Sequence, residues 1–155
     1  MIIDENIEVQ TRQGNSIDNY QSEYIGNFER KQFEEIVSGF NECTFKGRPT
    51  AMYNCHGFTF ASQRTNIGGS DEVKRILDED DYNEIKKDSV LPGDIIIYYS
   101  ENGDVEHSGV VIQVYNEDLV YPKIISKWGK YKVAIHHANN SPYTMINAKY
   151  YRVIE

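Results

Sequence analysis

The chain has 155 residues, of which 39% are hydrophobic and 26% charged; this fits one globular domain with one core and excludes a disordered chain. Its formal net charge is -8, with 16 basic residues scattered among 24 acidic ones, so it lacks the basic face that a nucleic-acid binder needs. No run approaches the ~20 apolar residues of a membrane span, so no membrane insertion is expected.

Residues 1–13 lack the basic start and apolar core of a secretory signal. The expectation is synthesis in a bacterial cytoplasm without a cleavable signal, then export or delivery to a target cell by another route. Residues 1–26 are rich in Asn, Gln, Asp and Ser and read as a polar lead-in or linker. The catalytic domain is expected over 27–155. Residues 27–40 carry Phe28, Phe33, Ile36, Val37 and Phe40 at near-helical spacing, with Asn27 as N-cap. Residues 41–53, with Gly47 and Pro49, read as a loop. A second helix is predicted over 54–66, capped by Asn54 and ended by Gly68 and Gly69. A third is predicted over 71–80 on Val73, Ile76 and Leu77, followed by a solvated acidic run at 78–81.

After Pro92 and Gly93 the period changes from helical to extended. Strands are predicted over 95–99, 105–115, 119–128, 132–137 and 149–154, with turns at 101–104 and 116–118. Helices first and antiparallel strands after them indicate an α+β fold with segregated layers. The 12 tyrosines suit such a sheet and a polar cleft. Lys123, Lys127, Lys130 and Lys132 form the one basic cluster, read as a solvated hairpin face.

Cys43 and Cys55 make no disulfide framework. There is no CxxC or HExxH, and His136 and His137 are adjacent, so no metal and no cofactor are expected. Cys55 stands where a loop enters a predicted helix, whose free amides and partial positive charge favour a thiolate. The plainer reading of a lone cysteine is a buried structural residue. His107 opens a strand directly after a turn. Alternation puts His107, Gly109 and Val111 on one face, with Ser108, Val110 and Ile112 on the other. A helix start resting on that sheet brings thiol and imidazole together as nucleophile and general base.

Three segments, Asn54-Cys55-His56-Gly57-Phe58-Thr59-Phe60-Ala61, Leu91-Pro92-Gly93-Asp94-Ile95-Ile96-Ile97-Tyr98 and His107-Ser108-Gly109-Val110-Val111-Ile112, together resemble the NlpC/CHAP-type branch of the papain-like cysteine hydrolases. The resemblance covers roughly residues 50 to 140. It implies a papain-like α+β fold, with N-terminal helices packed on an antiparallel sheet. It implies hydrolysis of peptide or amide bonds through an acyl-enzyme, frequently in peptidoglycan, by a cysteine peptidase or amidase. The family's third catalytic residue, a polar group that orients the imidazole, has three candidates here. They are Ser126, His136 and His137; neighbours on a strand face opposite sides, so only one of the two histidines can face the site, and His136 is the preferred one. Tyr53, Asn54 and Trp128 are candidate groove residues, each with a packing or capping role as the plainer reading. Asp94 reads as a loop-holding carboxylate and His56 as structural. The backbone N–H of Cys55 is the expected oxyanion donor.

By analogy, an antibacterial toxin or effector domain fits these features, with a peptide or peptidoglycan substrate and an immunity or inhibitor protein of basic character as partner. The acidic surface gives no long-range attraction to anionic wall polymers. One alternative is a papain-like toxin that cuts or deamidates a cytoplasmic protein. A second is a non-catalytic binding module in which Cys55 is a core residue.

Overall fold

The computed structural model describes residues 2–3 and 7–154. In chain order the elements are β1 (Ile2–Ile3), β2 (Asn19–Ser22), α1 (Asn27–Ser38), β3 (Thr44–Lys46), α2 (Cys55–Phe60), β4 (Asn66–Ile67), α3 (Ser70–Glu79), β5 (Tyr82–Ile85), β6 (Ile95–Tyr99), β7 (Val105–Gln113), β8 (Lys123–Lys127), β9 (Val133–His137) and β10 (Lys149–Val153). The β-branched run of β6 sits near the middle of a seven-stranded sheet in the order β3-β9-β8-β7-β6-β10-β5. Every pairing in it is antiparallel. A small sheet, β1-β2-β4, stands apart from it. Among the described residues the architecture is mixed α+β, with a large antiparallel sheet and three α-helices.

Strand alternation divides the core in two. One face of the sheet presents Ile95 and Ile97 to Val73, Ile76 and Leu77 of α3, together with Ile17, Ala61 and Ile67. The other presents Ile96, Tyr98, Val111 and Ile124 to Val90, Ala138 and Tyr150, with Tyr143 and Met145 packed over them. Asp94 holds the entry to β6. Its carboxylate accepts from Leu91 N at 2.8 Å and from Arg152 Nε and Nη2 at 2.7 and 2.8 Å, as a loop-holding group would.

Five expectations change. Residues 7–26 are not a loose lead-in. Ile17 is in the core, and Asn19 is buried, bonded to the Ile7 and Ile17 carbonyls and to the Thr65 hydroxyl. Polar composition misleads there because the buried polar side chains partner one another. Residues 1 and 4–6 of that segment lie outside the described residues. The stretch read as a loop at 41–53 contains β3, which pairs Thr44 with Ile135 at the sheet edge. The acidic run is followed by β5, which pairs with β10. The second helix is six residues long, because the chain reverses through left-handed backbone at Ser62 and Gln63 and returns as β4. On α1, capped by Gly26 rather than Asn27, no residue is fully buried; Phe33 and Val37 are half-buried, with Phe33 stacked on Tyr131, while Phe28 and Ile36 are exposed.

Candidate active site

Asn54 caps α2, as its side chain suggests. Its Oδ1 accepts from Gly57 N at 2.9 Å and from Ile67 N at 3.2 Å, while Nδ2 donates to Ile67 O. Asn54 therefore ties α2 to β4 rather than lining a groove. Cys55 is the first helical residue. A chain of hydrogen bonds then fastens the helix to β7. His56 Nδ1 donates to Ser108 Oγ at 2.8 Å, Ser108 Oγ to Thr59 Oγ1 at 3.0 Å, and Thr59 Oγ1 to the Cys55 carbonyl at 2.9 Å. His56 is thus a structural clamp.

β8 pairs with β7 at Val110, Val111 and Gln113, whereas His107 and Ser108 pair with β6 at Tyr98 and Ile97. The opening residues of β7 are therefore free on their β8 side, and the start of α2 meets the strand there. The backbone N–H groups of Ser108, His56 and Cys55 itself favour a sulfur anion, and the Lys127 charge adds to them. Burial outweighs all four. Cys55 is 8% exposed, and desolvation pushes its thiol up to about 11. Burial thus opposes the thiolate that the helix start favours, because the amides that supply it are themselves covered.

His107 shares a sheet face with Tyr98, opposite the face on which α2 rests. It packs against two tyrosines that also touch each other. The Tyr143 ring stacks on it at 3.7 Å and 5°, and the Tyr98 ring is tilted at 5.5 Å. Its Nε2 is buried and has no hydrogen-bond partner among the described residues. Burial holds the imidazole well below its usual value, and the charges of His56 and His136 act in the same direction. No hydrogen bond joins Cys55 to His107 among the described residues. Tyr143 links the two: it covers His107, and its own hydroxyl is raised by burial and then by the charge of Cys55.

Ser126 and His136 lie on the His107 face and bond to each other. The Ser126 hydroxyl meets His136 Nε2 at 2.8 Å, Trp128 Nε1 donates to Ser126 Oγ at 3.2 Å, and His136 Nδ1 faces the His137 carbonyl at 2.7 Å. A carbonyl only accepts, so Nδ1 carries the hydrogen and Nε2 accepts from Ser126. Both nitrogens are used, and neither residue bonds His107. Burial lowers His136 to about 4. His137 points away, with Nδ1 on the Tyr121 carbonyl at 3.0 Å. Trp128 is 3% exposed and packs edge-on against Phe40 and Phe45, so it is a core residue rather than a groove wall.

Lys127 is not on a solvated face. It is completely buried, and its Nζ donates to the carbonyls of Thr50 at 2.7 Å, Tyr53 at 3.1 Å and Gly129 at 2.6 Å. The half-exposed ring of Tyr53 lies 4.9 Å below it. Alternation along Ile125-Ser126-Lys127 offered a signal, since it puts Lys127 on the face that receives α2. Nothing in the sequence singled out Tyr143, which sits in the irregular stretch between β9 and β10.

Among the described residues no three His, Cys, Asp or Glu side chains converge as metal ligands, and both cysteines are free thiols. No helix of the described chain is long and apolar enough to cross a membrane. What the site offers is a thiol, an imidazole with an unpartnered nitrogen, amide donors and one buried cation. Comparison with protein-family models, with curated proteins and with solved structures returns no match.

Proposed function

We propose that the chain is a papain-like cysteine hydrolase of amide bonds, with Cys55 as nucleophile, His107 as general base and bacterial peptidoglycan peptides as its substrate class. The observation that carries this reading is the unpartnered Nε2 of His107. A buried nitrogen without a partner costs about 1–3 kcal/mol, so a fold that keeps one at the mouth of β7, the strand whose Ser108 N–H faces the Cys55 sulfur, has a use for it. The substrate class comes from the family resemblance alone.

In the closed state both groups are neutral at pH 7, since burial raises the thiol and lowers the imidazole. The proton therefore moves during attack rather than before it. The reading requires the Tyr143 ring that covers His107 to move aside so that thiol and imidazole meet. The Cys55 sulfur bonds to the carbonyl carbon as His107 takes its proton, and the Cys55 N–H faces the oxyanion. Collapse breaks the C–N bond, and the imidazolium gives its proton to the leaving amine. Water then attacks the thioester, again losing a proton to His107, and frees the thiol. A toxin or effector role with a basic immunity protein as partner extends this reading by analogy.

The test is digestion of purified peptidoglycan sacculi by the full chain and by Cys55→Ala, with released muropeptides weighed by mass spectrometry. We expect new fragments from the native chain only, and a loss of about 10⁴-fold or more in the variant, as for other nucleophile deletions. Fragments from neither, with Cys55 reactive, would redirect the reading to a protein substrate cut or deamidated in a cytoplasm. The burial of Cys55 favours one competing view, a non-catalytic binding module. An inert Cys55, alkylated no faster than Cys43 at any pH, would establish that view instead.

A further inference from the structure

Lys127 is a cation buried without an anion. An ammonium has three N–H donors, and the three carbonyls of Thr50, Tyr53 and Gly129 take one each. A neutral amine would leave one carbonyl facing a lone pair, so the cage fits the charged form. No carboxylate pairs with Lys127 among the described residues, and the one titrating charge that acts on it is that of Cys55. Two of the three carbonyls belong to the segment that leads into α2, and Tyr53 immediately precedes the cap Asn54. The cage thus fastens the approach to Cys55 onto β8, and it places a positive charge where water is excluded and charge acts strongly.

We propose that Lys127 is a positioning residue for Cys55, whose caged ammonium fixes the 50–53 segment against β8 and stabilises the Cys55 sulfur as it becomes an anion. The proposal rests on Cys55 being the nucleophile. Other groups act on the sulfur as well: the backbone N–H groups of Cys55 and His56 from α2 and of Ser108 from β7, while Tyr143 feels the charges of both Cys55 and Glu106. Among these only Lys127 carries a full positive charge. Burial draws its ammonium down to about 8, and the Cys55 charge opposes that fall.

The experiment measures the rate of Cys55 alkylation by iodoacetamide from pH 5 to pH 10 in the native chain, Lys127→Gln and Lys127→Arg. Peptide mass spectrometry separates Cys55 from Cys43. Alkylation reads the opened site, where desolvation is relieved and the donors remain, so the native inflection should fall below the ordinary thiol value of ~8.5. Lys127→Gln should move it up by about one pH unit, about tenfold slower at pH 7, while Lys127→Arg, which disturbs the cage but keeps the charge, should stay within about threefold of native. Equal effects of Gln and Arg would overturn the proposal and leave a structural clamp. An unreactive native Cys55 would instead overturn the hydrolase reading on which it rests.

Discussion

Ser126 occupies a position from which a papain-like enzyme would orient its histidine, yet its hydroxyl is committed on both sides. It accepts from Trp128 Nε1 and donates to His136 Nε2. Deleting it strands a buried indole N–H and a buried imidazole lone pair. Ser126→Ala should therefore destabilise the fold by about 1–3 kcal/mol, read from the urea midpoint. A loss under about 0.5 kcal/mol would show that these bonds carry no weight. Cys55 shows the same competition between local chemistry and surroundings. Amides and a cation lower its pKa, burial raises it, and burial wins.

At the scale of the element, α2 is decided by its neighbours. Six residues with a single cap bond do not make a stable helix alone. Asn54 locks its start to β4, and the His56–Ser108–Thr59 chain locks its flank to β7. Gly57 is present for a steric reason. A Cβ there would stand 1.8 Å from the Thr65 carbonyl oxygen, which is backbone and has no room to give. Gly57→Ala should cost about 3 kcal/mol, the upper end of overpacking penalties, although alanine is the better helix former. A melting temperature equal to that of the native chain would mean that Thr65 does not press on α2.

Across the whole molecule, three of the four histidines are buried and neutral. Burial lowers His56 and His136 to about 4 and holds His107 well below its usual value. The unfolded chain takes up these protons near pH 6.5, whereas the fold resists until near pH 4 or below. Stability is therefore complete above about pH 6.5 and is lost as pH falls toward 4, at about 1.4 kcal/mol per pH unit for each histidine that titrates only in the unfolded chain. Urea midpoints between pH 7.5 and pH 4.5 should show this slope. Three imidazole Cε1 resonances should keep their neutral positions down to pH 5, and imidazoles that titrate normally near 6.5 would refute the assignment.

Much of the frame was legible in the chain itself. The isoleucine run marked β6, alternation marked β7 and its two faces, the apolar triplet Val73, Ile76 and Leu77 marked α3, and Asn54 marked the start of α2. These signals are local, set by periodicity and capping within a few residues, so sequence alone determines them. The mixed α+β class followed from their order. Tertiary structure alone decided what depends on partners distant in the chain. It buried the polar segment 7–26 through Asn19 and Thr65, cut α2 short at Ser62, and drew β3 and β5 to the sheet edges. It also enclosed Lys127 in carbonyls from two loops and laid Tyr143 on His107. The ionisation of Cys55 and His107 belongs to this second group, because desolvation is a property of everything that covers a side chain and not of the residues beside it.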